Sequence, residues 1–191
     1  PPPVAFASAH TQTVLRRHFD ALVESHGAPI VVVSLIDLTG AEGTLATQYR
    51  DAVELMADDR IVMHQFDFHE KTKGNHYENL AELTAFVLPR IIRGGLTVID
   101  ETGQVVEAQT GVVRVNCIDC LDRTNVVQSV LGARALDAQA AKLSVNVRSA
   151  DAAVRRVWSA QADALSMAYT SASALKTDFT RTGKRSIVGA I

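Results

Sequence analysis

The sequence is poor in cysteine, aromatic residues and net charge, and each scarcity closes off a class of protein. Its two cysteines, Cys117 and Cys120, sit three positions apart and cannot staple a fold, so this is no disulfide scaffold. They could be half of a zinc site, but there is no second cysteine pair, and His64, His69 and His76 lack tight ligand spacing. No metal and no other cofactor is therefore expected. A formal net charge of −2 gives no global basic field, which excludes nucleic acid as an expected partner and makes any anion recognition local. No apolar run approaches the roughly 20 residues that span a bilayer as a helix. Aromatic content is 5% against 47% hydrophobic residues, so the core must be built mainly from aliphatic side chains and alanine.

What the chain does have is concentrated in Val112–Gln128. An apolar run (Val112, Val113, Val115) leads in, a helix-capable stretch from about Thr124 leads out, and five residues separate Cys117 from Arg123. That spacing suits a phosphate-binding loop between a strand and a helix. The backbone N–H groups of Ile118, Asp119, Cys120, Leu121 and Asp122 can curl around one phosphate, where the helix dipole also favours negative charge. The same field lowers the pKa of a cysteine at the start of the loop. Arg123 can grip two phosphate oxygens with its planar fork, and the Thr124 hydroxyl can donate to the sulfur. A Cys-x-x-Cys redox pair is the competing reading, since a helix N-terminus activates a thiol there too.

The stretch Asn116-Cys117-Ile118-Asp119-Cys120-Leu121-Asp122-Arg123-Thr124-Asn125, with Gln128, resembles the signature of the Sac-domain phosphoinositide phosphatases. Phe66-Asp67-Phe68-His69 is similar to that family's strand end. Leu35–Glu42 with Leu45 resembles a further family segment, with Ser34 where an Asn is usual. Ala174–Arg185 resembles the membrane-anchored branch of the endoplasmic reticulum and Golgi. Departures are few: Val115 replaces a Thr, and Thr170-Ser171-Ala172-Ser173 stands where the family usually has two glycines. The resemblance implies that residues 1–191 are the catalytic portion of a Sac domain, a fragment lacking an N-terminal subdomain and a C-terminal continuation. It implies a cytosol-facing enzyme held at those membranes by an anchor outside this chain.

Around the loop the patterning predicts an α/β fold: a mixed, largely parallel sheet flanked by helices. Val14, Leu15, Phe19, Leu22 and Val23 share one face of a helix over 9–26. Ile30–Ile36 reads as a strand buried on both faces, and Ile61–Phe68 reads as a second strand. Helices are expected from Leu45 to Met56, Tyr77 to Ile91, Thr124 to Leu143 and Val154 to Ala168. A hairpin is expected over 96–108.

The implied reaction is hydrolysis of a phosphate monoester on a phosphatidylinositol phosphate, most readily the 4-phosphate, through a cysteinyl-phosphate on Cys117. Asp119 and Asp122 compete to protonate the leaving oxygen, and myotubularin-like loops with Asp at the same places favour Asp122. His69, Lys71 and Lys73 are expected to border the headgroup, because open α/β sheets bind ligands at the carboxyl ends of their strands. Lys176, Lys184 and Arg185 would meet an anionic membrane carrying the phosphoinositide. Two other readings remain: a phosphoinositide-binding scaffold without turnover, and a protein tyrosine phosphatase.

Overall fold

A computed structural model describes residues 9–182. The chain runs α1 (Ala9–His26), β1 (Ile30–Ser34), α2 (Gly40–Glu54), β2 (Ile61–Gln65), α3 (Phe68–Lys71), α4 (Leu80–Gly94), β3 (Val98–Ile99), β4 (Val105–Glu107), β5 (Val112–Asn116), α5 (Asp122–Lys142), α6 (Asp151–Thr170) and α7 (Thr177–Thr182). Three strands pair in parallel in the order β2-β1-β5, and β3 with β4 makes an antiparallel hairpin. The α/β class read from the sequence is present, with a three-stranded parallel sheet.

β1 lies at the centre because its sequence, Ile-Val-Val-Val-Ser, is buried throughout. Successive side chains point to opposite faces, so this strand supplies both cores at once. Val31, Val33 and Leu35 pack with Leu80, Leu83 and Val87 of α4 and with Val126, Val127 and Leu131 of α5. Ile30 and Val32 pack on the other side with Phe19 of α1, Val53 of α2 and Met56.

Two local differences from the sequence reading have clear physical causes. β2 stops at Gln65 instead of running to Phe68. The Asp67 carboxylate accepts the Glu70 N–H at 3.1 Å, and this N-cap turns Phe68–Lys71 into a short helix. Beyond α6, where glycines are usual in the resembled family, Ser171 adopts φ 59° and ends the helix in the left-handed region. A serine there carries strain that a glycine would not.

The register levels the active edge. Ser34, the last residue of β1, pairs with both Gln65 and Asn116. The segments that follow the three strands (35–37, 66–67 and 117–121) therefore emerge side by side.

α5 and α6 meet at Gly132 and Trp158. A Cβ on Gly132 would lie 2.7 Å from the Trp158 ring, so the helices can approach this closely only with glycine here. Gly132→Ala should destabilise the fold by about 1–3 kcal/mol through overpacking, read as a lower midpoint in urea denaturation with the slope unchanged.

Candidate active site

Cys117 begins the five-residue segment between β5 and α5. Its position is set from below, where the Asn116 carbonyl accepts the Leu35 N–H at 2.7 Å and ties the end of β5 to β1. The thiol is buried, and its Sγ receives the Cys120 N–H at 3.1 Å and the Thr124 hydroxyl at 3.3 Å. Asp119 Oδ1 stands 3.3 Å from the same sulfur and also accepts the Leu121 N–H at 3.0 Å. Cys120 adopts φ 58°, unusual for a residue other than glycine, so the segment holds backbone strain next to the sulfur. Ile118 is partly exposed on the rim of this segment.

Arg123, one residue into α5, is almost fully buried and tied down by three groups. Glu42 accepts from both guanidinium ends at 2.9 Å, Asp37 Oδ1 accepts from Nη1 at 3.1 Å, and the Leu35 carbonyl accepts from the same nitrogen at 3.2 Å. Asp37 continues outward: its Oδ2 lies 2.8 Å from His69 Nδ1. The Asp37 N–H donates back to Glu42 at 3.1 Å, and Asp67 accepts the Leu38 N–H at 3.0 Å. Two acidic residues thus orient the arginine, and a histidine stands behind one of them.

The electrostatics follow. Burial pushes the Glu42 carboxyl up, but hydrogen bonds from Arg123 and the Asp37 N–H outweigh it and the net shift is downward. Burial alone would lower the Arg123 pKa, yet Glu42 and the other anions around it raise it, so it stays charged. Cys117 and Cys120 are linked through backbone groups: besides the N–H bond to Cys117 Sγ, Cys120 Sγ donates to the Cys117 carbonyl at 3.6 Å. The closeness of the two cysteines lowers Cys120 and raises Cys117, and burial adds to the rise of Cys117 against the opposing pull of Thr124 and Arg123.

Cys117, Asp119, Arg123 and Thr124 come together. Asp122 points elsewhere: its Oδ1 accepts the N–H groups of Leu175 and Lys176 at 2.8 and 3.0 Å, which ties the start of α5 to the segment before α7. His69 joins the Arg123 network through Asp37. Lys71 and Lys73 lie just beyond it, ion-paired with Glu82 (2.6 Å) and Glu70 (3.7 Å). Lys184 and Arg185 lie outside the described residues. Among the described residues no group of histidine, cysteine, aspartate and glutamate is arranged to hold a metal ion, and no helix is long and apolar enough to cross a membrane.

Asp37 and Glu42 are the residues that sequence reasoning missed as Arg123 partners. Asp37 reads as ordinary turn chemistry. The available signal was two acids, five apart, directly after a strand too apolar to leave its end uncommitted.

Sequence comparison relates the chain to known proteins. The profile of the SacI homology domain matches residues 1–73. The fruit fly Drosophila melanogaster protein named phosphatidylinositol-3-phosphatase SAC1 is 39% identical over 183 residues, 91% of this chain and 31% of its own length. Phosphoinositide phosphatase SAC8 of Arabidopsis thaliana is 35% identical over 189 residues, 95% of this chain and 32% of its own. The human protein named phosphatidylinositide phosphatase SAC2 is 36% identical over 165 residues, 83% of this chain and 14% of its own. The chain thus spans about a third of the length of the first two relatives. It belongs to the Sac-domain family.

Removing the Cys120 thiol removes the partner that raises Cys117. Cys120→Ser should move the midpoint of Cys117 alkylation by iodoacetamide to lower pH, read from the rate of labelling across a pH series. An unchanged midpoint would show that Cys120 does not raise Cys117.

Proposed function

We propose that this chain carries the catalytic portion of a phosphoinositide phosphatase, which removes a monoester phosphate through a cysteinyl-phosphate on Cys117. The observation that carries the reading is the sulfur itself: buried, facing two hydrogen-bond donors and one carboxylate, with a fixed arginine six residues on. The relatives' names, each a phosphatase of phosphoinositides, point the same way.

The proton inventory balances within the loop. Cys117 gives its proton to Asp119, 3.3 Å away, and the thiolate attacks phosphorus in line. The P–O bond to inositol breaks, and the Asp119 carboxylic acid protonates the departing oxygen. Water then attacks the cysteinyl-phosphate, Asp119 takes its proton, and the thiolate leaves. Loop N–H groups and Arg123 stabilise the charge on the equatorial oxygens, so the step is proposed without a metal. The family analogy favours Asp122 as the acid, but its bonded oxygen serves the 175–176 backbone, and this supports Asp119 instead. Asp37 and Glu42 set the guanidinium, and His69 holds Asp37.

For substrate we propose a phosphatidylinositol monophosphate in an anionic membrane, the 4-phosphate first. The fruit fly relative is named for the 3-phosphate, which makes position the point to test. Lys71, Lys73, Lys176, Lys184 and Arg185 would face the lipid, at endoplasmic reticulum or Golgi membranes, the site facing the cytosol.

The assay is release of phosphate from a panel of phosphoinositides and a phosphotyrosine peptide. Cys117→Ser should abolish turnover, and the wild type should prefer monophosphorylated lipid to peptide. Preference for the peptide would assign a tyrosine phosphatase. No turnover of any lipid would leave a binding scaffold.

A general acid matters most for a poor leaving group. Asp119→Asn should reduce lipid turnover by about 10²–10⁴-fold, flatten the alkaline limb of the pH profile, and largely spare an activated aryl phosphate. Asp122→Ala should reduce both substrates alike, because it releases a backbone segment. The reverse pattern would return the acid to Asp122.

A further inference from the structure

Behind the catalytic segment, on the α1 and α2 side of the sheet, lies a pocket of about 300 Å³. Its walls are largely apolar, formed by Leu15 of α1, Leu45 and Ala52 of α2, and Ile36 just past β1. At one end stands Arg114, a charged residue in the middle of a sheet strand. Its Nη1 donates to Tyr49 Oη at 3.1 Å and to Asn116 Oδ1 at 2.5 Å, and its guanidinium lies 5.9 Å from the Tyr49 ring centroid. Both hydrogen-bond partners are neutral. Among the described residues no carboxylate pairs with this half-buried cation, in contrast to Arg123, which has two.

A cation withdrawn from water and left without a counter-charge is costly, and folded proteins pair such groups. Among the described residues the Nε–Nη2 edge of Arg114 makes no hydrogen bond. It has the fork geometry that grips a carboxylate with two parallel bonds. Gln48 lines the same pocket, and its buried Oε1 has no partner. Turning that amide over presents its NH₂ group instead. One cation matches one negative charge, so a monoanion fits better than a phosphate monoester. The apolar walls ask for a hydrocarbon tail.

We infer that this pocket binds a free medium-chain aliphatic carboxylate, its head on Arg114 and its tail along Leu15, Leu45 and Ala52. The site is separate from the catalytic sulfur but not isolated from it. The guanidinium that takes the carboxylate on one edge holds Asn116 Oδ1 through Nη1, and Asn116 immediately precedes Cys117. Occupancy therefore bears on the residue that positions the nucleophile.

The test is calorimetric titration of the intact chain with hexanoate, octanoate and decanoate below their micelle-forming concentrations, with methyl octanoate as the uncharged control. This reads binding directly, so it stands or falls apart from any phosphatase assay. Affinity should rise about fourfold per added methylene until the pocket is full, and the ester should bind at least about tenfold more weakly than octanoate. Arg114→Met should weaken octanoate to the level of the ester. Leu45→Trp, which fills the pocket and leaves the cation in place, should abolish decanoate binding first. Circular dichroism checks that each variant is folded. Equal binding of acid and ester, absence of chain-length dependence, or undiminished binding in Leu45→Trp would each overturn the inference. So would a failure of all three acids to bind, the result expected where another part of the protein already occupies the pocket.

Discussion

The site depends on one buried ion pair, the two-ended bond from Glu42 to Arg123, with Asp37 as a third hand on the same guanidinium. An arginine this buried would be a liability alone, since breaking a buried pair leaves an uncompensated charge costing about 3–5 kcal/mol. With both acids present it becomes a fixed object against which the loop can be built. The sheet makes this possible. Because the three parallel strands end level, the acidic segment after β1 and the start of α5 arrive at the same height, and the pair forms without distorting either.

Charge around the sulfur is arranged by the same logic. The acids that hold Arg123 are themselves engaged, Glu42 by an amide and Asp37 by His69. Asp119 accepts the Leu121 N–H and faces the sulfur with the same oxygen, the placement that the proposed proton transfer uses. The two loop carboxylates have identical chemistry and different neighbours, and the neighbours divide their labour.

Much of this was legible in the sequence. The strands, the long helices and the hairpin follow from the apolar patterning, and Cys117, Arg123 and Thr124 stand out by their spacing together with the resemblance of the stretch around them. Several places where the reading fell short turn on a carboxylate whose hydrogen-bond partners the apolar pattern does not report. Asp67 folds a strand end into helix because its carboxylate caps Glu70 and braces Leu38 at once. Asp122 looks like a loop acid until Leu175 and Lys176 are seen on it. Periodicity reports which face of an element is apolar, and it carries no information about which amide a carboxylate will find.

Those long reaches also have a kinetic meaning. Arg123 meets Leu35 across 88 positions, and Asp122 meets Leu175 and Lys176 across 53 and 54. The segment between β5 and α5 is thus held by chain from both directions, so its geometry cannot be finished by local folding. Loop-closure entropy makes such contacts late ones. During synthesis, Cys117 would already sit at its strand end while the backbone that meets Asp122 was still unmade. Anchoring of Asp122 thereby waits on the segment after α6, and a ribosome-stalled product ending before Ala174 would carry the complete cysteine signature with that anchor unmade.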